Sequence, residues 1–149
     1  LDDDLFWVVT SDAVFAEPLA VMEAAHHARG WDATWLLTRA EHARALRVVQ
    51  RDDDHRIERI LPRADDVGYV FCGIHLAGPG LLSHLPERGA SCVIREGYLP
   101  WRDAGGAIGG IETSGFWADT GTPERYLDAH VRGIEHLQRW RDLRRIGRG

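Results

Sequence analysis

The stretch Gly115-Phe116-Trp117-Ala118-Asp119-Thr120-Gly121-Thr122-Pro123-Glu124-Arg125-Tyr126 admits few conformations and constrains the rest of the chain. Phe116 and Trp117 are strand formers, and Gly121 permits a tight turn. Thr122-Pro123-Glu124 is a helix start, with Pro at the first position and an acid in the first turn. The segment therefore reads as strand, turn, helix. Asp119 falls where the strand ends and the helix begins, which in an α/β protein is where ligands collect and where a helix N-terminus attracts anions. An aspartate so placed can hold a divalent cation against a phosphate, or it can simply close the turn by a side-chain hydrogen bond. Spacing alone allows both.

A second aspartate occupies a matching position. Leu5 to Val9 is a continuous apolar run that suits a strand buried on both faces of a parallel sheet, and it ends in Thr10-Ser11-Asp12. Pro18 then opens a helix to about Arg29, with Leu19, Met22 and His26 on one face and Gly30 as its stop. Trp31 to Thr38 is the next strand, completing a β-α-β unit. The pattern at residues 41–45 is ambiguous. Residues 47–50 and 56–61 predict a hairpin around Asp52-Asp53-Asp54. That acidic turn fails as a calcium loop counted from Asp52, because its sixth position is Ile57 and its twelfth is Arg63.

Gly68 to Leu76 is the strongest strand of the middle region, and Gly73 within it predicts a bulge or a close backbone approach by a ligand. Short helices are expected from Gly78 and over Tyr98 to Asp103. The glycines at 105, 106, 109 and 110 lack dinucleotide-fingerprint spacing and precede a strand. Residues 108–112 and 115–118 are expected to pair as a final hairpin with Thr113-Ser114 at its tip. A long helix from Thr122 to about Leu143 follows, its apolar face predicted at Tyr126, His130, Ile134, Leu137 and Trp140.

Composition excludes several classes. At 149 residues, with 44% hydrophobic and 28% charged residues, the chain is the size of one globular domain. The net charge of −5 argues against a nucleic-acid partner, and no apolar run is long enough to span a membrane. Leu1-Asp2-Asp3-Asp4 carries no basic leader, and the two cysteines, Cys72 and Cys92, form no CxxC. A cytoplasmic, thiol-reduced protein is expected. All 18 basic residues are Arg, so no lysine chemistry is available. The eight histidines lack ligand spacing, and no serine lies in a G-x-S-x-G frame. Cys72 and His75 would face opposite sides of a strand. Asp12 and Asp119 remain as the candidate chemical groups.

Residues 115–127 resemble the W-x-D-x-G-T-P-x-x-Y-L motif that closes the catalytic domain of sugar-1-phosphate nucleotidyltransferases, mannose-1-phosphate guanylyltransferases among them. Val8-Val9-Thr10-Ser11-Asp12 is similar to that family's strand ending in N-G-D. Tyr69 to Ile74 resembles its central Gly-Ile-Tyr strand, and Ile94 to Pro100 and the Gly105 to Gly110 cluster fall in the same order. The resemblance implies an α/β, Rossmann-like (GT-A-like) mixed sheet flanked by helices. It also implies a reaction: a nucleoside triphosphate and a sugar 1-phosphate give a nucleoside-diphosphate sugar and pyrophosphate. Asp12 and Asp119 match the aspartates that hold Mg²⁺, and the backbone around Gly73, with Cys72 and Thr120, falls on the substrate side.

The departures are equally specific. The family's G-x-G-[ST]-R-L loop, which wraps the triphosphate, has no counterpart here, nor do its lysine-containing segments, and Thr10 and Ser11 replace Asn and Gly. The expectation is a single domain, residues 1–149, forming the C-terminal portion of a nucleotidyltransferase domain without its nucleotide-binding half. That half is either lost or supplied by another polypeptide, and the chain alone is expected to be inactive. Partners expected are a sugar 1-phosphate, a nucleoside triphosphate, and a second copy or another chain completing the sheet. Two alternatives stay open: a non-catalytic interaction module and a sugar-phosphate sensor.

Overall fold

The computed structural model describes residues 5–16, 18–40, 46–61, 67–113 and 115–146, with side chains described to residue 137. The ambiguous segment 41–45, Ser114 and the side chain of Trp140 lie outside the described residues. The order of elements is β1 (Phe6–Val9), β2 (Ala13–Phe15), α1 (Leu19–Arg29), β3 (Ala33–Arg39), β4 (Val48–Arg51), β5 (Ile57–Leu61) and β6 (Tyr69–Ala77). There follow α2 (Gly80–His84), a π-helical turn (Val93–Tyr98), α3 (Leu99–Asp103), β7 (Ile108–Glu112), β8 (Trp117–Asp119) and α4 (Pro123–Ile146).

Strands run β5-β4-β6-β3-β7, with β1 also paired to β6, and β2 and β8 form a separate two-stranded sheet. The main sheet is mixed: β3 is antiparallel to β6 and parallel to β7. Alternation along β3 divides the core. Ala33, Trp35 and Leu37 pack on one face with Tyr98, Trp101 and Leu81, whereas Leu36 packs on the other with Met22, Ile74 and Trp117. Helix α1 covers the second face through buried Met22 and His26 and ends, as expected, at Gly30 in the left-handed conformation.

Three expectations are corrected. First, β1 is not a parallel strand buried on both faces. It lies antiparallel to β6, its first three residues only half-buried and Val9 46% exposed. Phe6 and Ala33 both pair with Ala77, so β6 is inserted between β1 and β3 and splits the expected β-α-β unit. Second, residues 108–112 and 115–118 do not form a hairpin. β7 lies parallel to β3, held at its start by Asp32, which exchanges hydrogen bonds with Ala107, and at its end by the Thr113 N–H on the Leu37 carbonyl. β8 pairs instead with β2. Third, α4 does not pack through the predicted apolar face. Tyr126, Ile134 and Leu137 are each more than half exposed and His130 is exposed, while Ala129 is buried on the side facing β8.

Candidate active site

The site opens where two strands share one edge of β6. β1 pairs with Ile74 to Ala77 and β4 with Tyr69, so among the described residues no strand continues the ladder along residues 70–73 on that edge. The gap between them lies just past the carboxyl end of β1. The cavity there measures about 520 Å³, and Asp12, Asp119, Cys72 and Gly73 all line it. The bulge expected at Gly73 is present: its φ is +78°, and Trp35 and Leu37 on β3 pair with His75 and Phe71, leaving three β6 residues opposite one. Thr10 makes the close approach, donating its N–H to the Gly73 carbonyl at 2.9 Å.

The two aspartates, 107 positions apart in sequence, meet because β2 and β8 pair with Ala13 opposite Asp119. Thr120 extends this ladder, its N–H and hydroxyl both donating to the Asp12 carbonyl, at 2.8 and 3.0 Å. Trp117 anchors β8: its indole N–H donates to the Cys72 carbonyl at 2.9 Å, and burial of the ring contributes about 2–3 kcal/mol. A Cβ on Gly121 would stand 3.1 Å from both Asp12 Oδ2 and Asp119 Oδ1, so the two oxygens are at most twice that distance apart. Both carboxylates thus border the space beside Gly121.

The two acids differ in their partners. Asp119 Oδ1 accepts the Gly121 N–H at 2.7 Å, the turn-closing bond anticipated for it, and Oδ2 pairs with Arg125 Nη1 at 3.0 Å. Asp12 is exposed, and no ion pair to it occurs among the described residues. Thr120 does not line the cavity; it sets the loop that carries Asp12. Cys72 does line it, although the residue is 1% exposed.

Sequence reasoning missed four lining or flanking groups. Arg47 and Arg95 are exposed cations at the cavity, and Arg125 pairs with Asp119. Cys92, also in the lining, has its thiol held below the usual range, chiefly by the Arg95 backbone N–H. Only Arg125 carried a legible signal, being a cation one turn into the helix after Asp119. Cys72 and His75 do lie on opposite faces: His75 hydrogen-bonds Tyr98 on the first face, while Cys72 packs with the second.

The chain is 28% identical to the probable mannose-1-phosphate guanylyltransferase 1 of Oryza sativa subsp. japonica over 127 residues, covering 83% of this chain and 35% of that protein. It is equally identical, over 130 residues, to the mannose-1-phosphate guanyltransferase of Neurospora crassa, covering 85% and 35%. This chain is related to the sugar-1-phosphate nucleotidyltransferases. It spans about a third of the length of these curated relatives. No family model matches it.

Solved structures share the fold. A putative glucose-1-phosphate thymidylyltransferase from Bacillus anthracis, crystallised with a sucrose, superposes with a TM-score of 0.66 at 22% identity, over 87% of this chain and 54% of that one. HddC from Yersinia pseudotuberculosis superposes with a TM-score of 0.67 at 16% identity, over 85% and 54%. The mixed sheet flanked by helices is thus the nucleotidyltransferase fold, present in part. No helix among the described residues is long and apolar enough to cross a membrane.

Proposed function

We propose that this chain forms the metal- and sugar-phosphate-binding part of a cytoplasmic sugar-1-phosphate nucleotidyltransferase. The observation that carries the proposal is that Asp12 and Asp119 both line the cavity and both place a carboxylate oxygen beside Gly121. Two carboxylates with no side chain between them present hard oxygen donors suited to Mg²⁺. Among the described residues no third acid, histidine or cysteine completes a cluster. The rest of the shell is left to water and substrate phosphates, as is usual for this ion. Bound there, Mg²⁺ would neutralise repelling phosphate oxygens and orient them.

The chain's own residues supply the remaining functions. Arg47 and Arg95 place positive charge at the cavity for an anionic substrate, and Trp35, Phe71 and Trp117 give it flat apolar walls. The Gly73 bulge brings backbone to the cavity wall, with Cys72 beside it, and Thr120 holds the Asp12 loop. With no glycine-rich triphosphate loop in its sequence, the chain by itself is expected to release no pyrophosphate.

Calorimetric titration with mannose 1-phosphate, with and without Mg²⁺, tests the proposal. Mg²⁺ is expected to strengthen binding about tenfold, with the gain lost in Asp12→Asn and Asp119→Asn. Affinity independent of Mg²⁺, or a gain that survives both substitutions, would contradict it. A second reading, the non-catalytic interaction module, is favoured by one observation: Tyr126, Leu127, Val131, Ile134 and Leu137 leave α4 with an exposed apolar stripe. Under that reading the two Asn variants leave partner capture unchanged and no sugar phosphate binds.

A further inference from the structure

Asp119 already carries a cation of the protein's own. Arg125 Nη1 lies 3.0 Å from Asp119 Oδ2, and the other oxygen of that carboxylate is engaged by the Gly121 N–H. Asp119 therefore has no oxygen without a donor, while Asp12, directed to the same point beside Gly121, has no ion-pair partner among the described residues.

Arg125 is also in an unfavourable place for an arginine. It sits in the first turn of α4, where the helix dipole disfavours positive charge. The helix end has other means of satisfaction, since the Arg125 N–H is taken by the Thr122 hydroxyl at 3.3 Å and the Tyr126 N–H by the Thr122 carbonyl at 2.8 Å. What the guanidinium gains is the Asp119 carboxylate. We infer that Arg125 is a built-in competitor of the divalent cation: it neutralises Asp119 when no metal is bound and must draw back from that carboxylate for the metal to enter. This rests on the metal-binding role proposed above.

The physical basis is exclusion of like charges. A Mg²⁺-sized ion sits about 2.1 Å from a carboxylate oxygen. An ion at that distance from either oxygen of Asp119 would face a guanidinium bound to the same carboxylate, and like charges repel at such separations. The side chain of Arg125 is 35% exposed, so its long stem can swing the charge into water at small cost. Arg125 thus holds the Asp119 carboxylate in place in the free protein and lowers its affinity for a bare ion.

Titration with Mn²⁺, followed by the electron paramagnetic resonance of the free ion, tests the inference on the chain itself. Arg125→Gln is expected to bind Mn²⁺ about fivefold more tightly than the parent chain, Arg125→Lys to stay near it, and Asp12→Asn to bind more weakly. If Arg125→Gln binds equally or more weakly while binding still depends on Asp12, Arg125 merely positions Asp119; the inference fails and the metal site stands. If neither the parent chain nor Arg125→Gln takes up Mn²⁺ while both keep their circular dichroism, the metal site fails and the competition with it.

Discussion

A Cβ added to Gly73 would land inside the Thr10 hydroxyl, and the φ of +78° at that residue is one that L side chains rarely adopt. Gly73→Ala is therefore expected to cost about 3 kcal/mol in urea unfolding, from strain and overpacking together; a loss below about 1 kcal/mol would show that the β1–β6 contact is loose. His75 gives a pH signature. Burial lowers its pKa from 6.5 to about 4. Because the unfolded chain takes up the proton first, the stability from keeping this ring neutral is fully present above pH 6.5. It is lost as pH falls to 4, by about 3 kcal/mol in all. His75→Gln should flatten that part of the stability curve, and an unchanged slope would mean the ring is not buried neutral. Asp12 and Asp119 were legible because each follows an apolar strand and precedes a turn. Their proximity was implied by the family resemblance rather than by the strand pattern, since it depends on which strands pair. The Arg125 pair depends on the same through-space geometry.

At the scale of elements, alternation and turn chemistry found most strands and helices, including the 48–61 hairpin, α1 with its Gly30 stop and the bulged β6. Partners were harder to read than elements. Proximity in sequence suggested that 108–112 and 115–118 pair with each other, yet Asp32 draws the first beside β3 and Trp117 draws the second over Cys72. The apolar positions of α4 likewise suggested a buried face, but the side meeting β8 is the one with small Ala129, which lets the helix approach. Two substitutions separate these faces. Ile134→Ser on the exposed stripe should change stability by less than about 0.5 kcal/mol. Ala129→Leu at the contact should cost about 2 kcal/mol by overpacking. The reverse order in urea melts would show that α4 docks by the stripe.

Taken whole, the molecule places its candidate chemistry where two independent sheets meet. The main sheet supplies the cavity wall and the Gly73 bulge, and the small β2–β8 sheet supplies both acids. It spans about a third of the curated relatives and about half of the solved chains it superposes on. That the fold matches part of the nucleotidyltransferase fold was visible in the closing motif, which covers the turn between β8 and α4. That the two aspartates meet through a β2–β8 pairing required the structure. The central claim is that these two carboxylates share one divalent ion, and a double-mutant cycle on Mn²⁺ affinity tests it most directly. If the ion is shared, Asp12→Asn and Asp119→Asn each weaken binding about tenfold or more, and the double variant loses clearly less than the product of the two single losses. Losses that multiply, or a single variant that binds like the parent chain, would mean that the two acids do not hold the same ion.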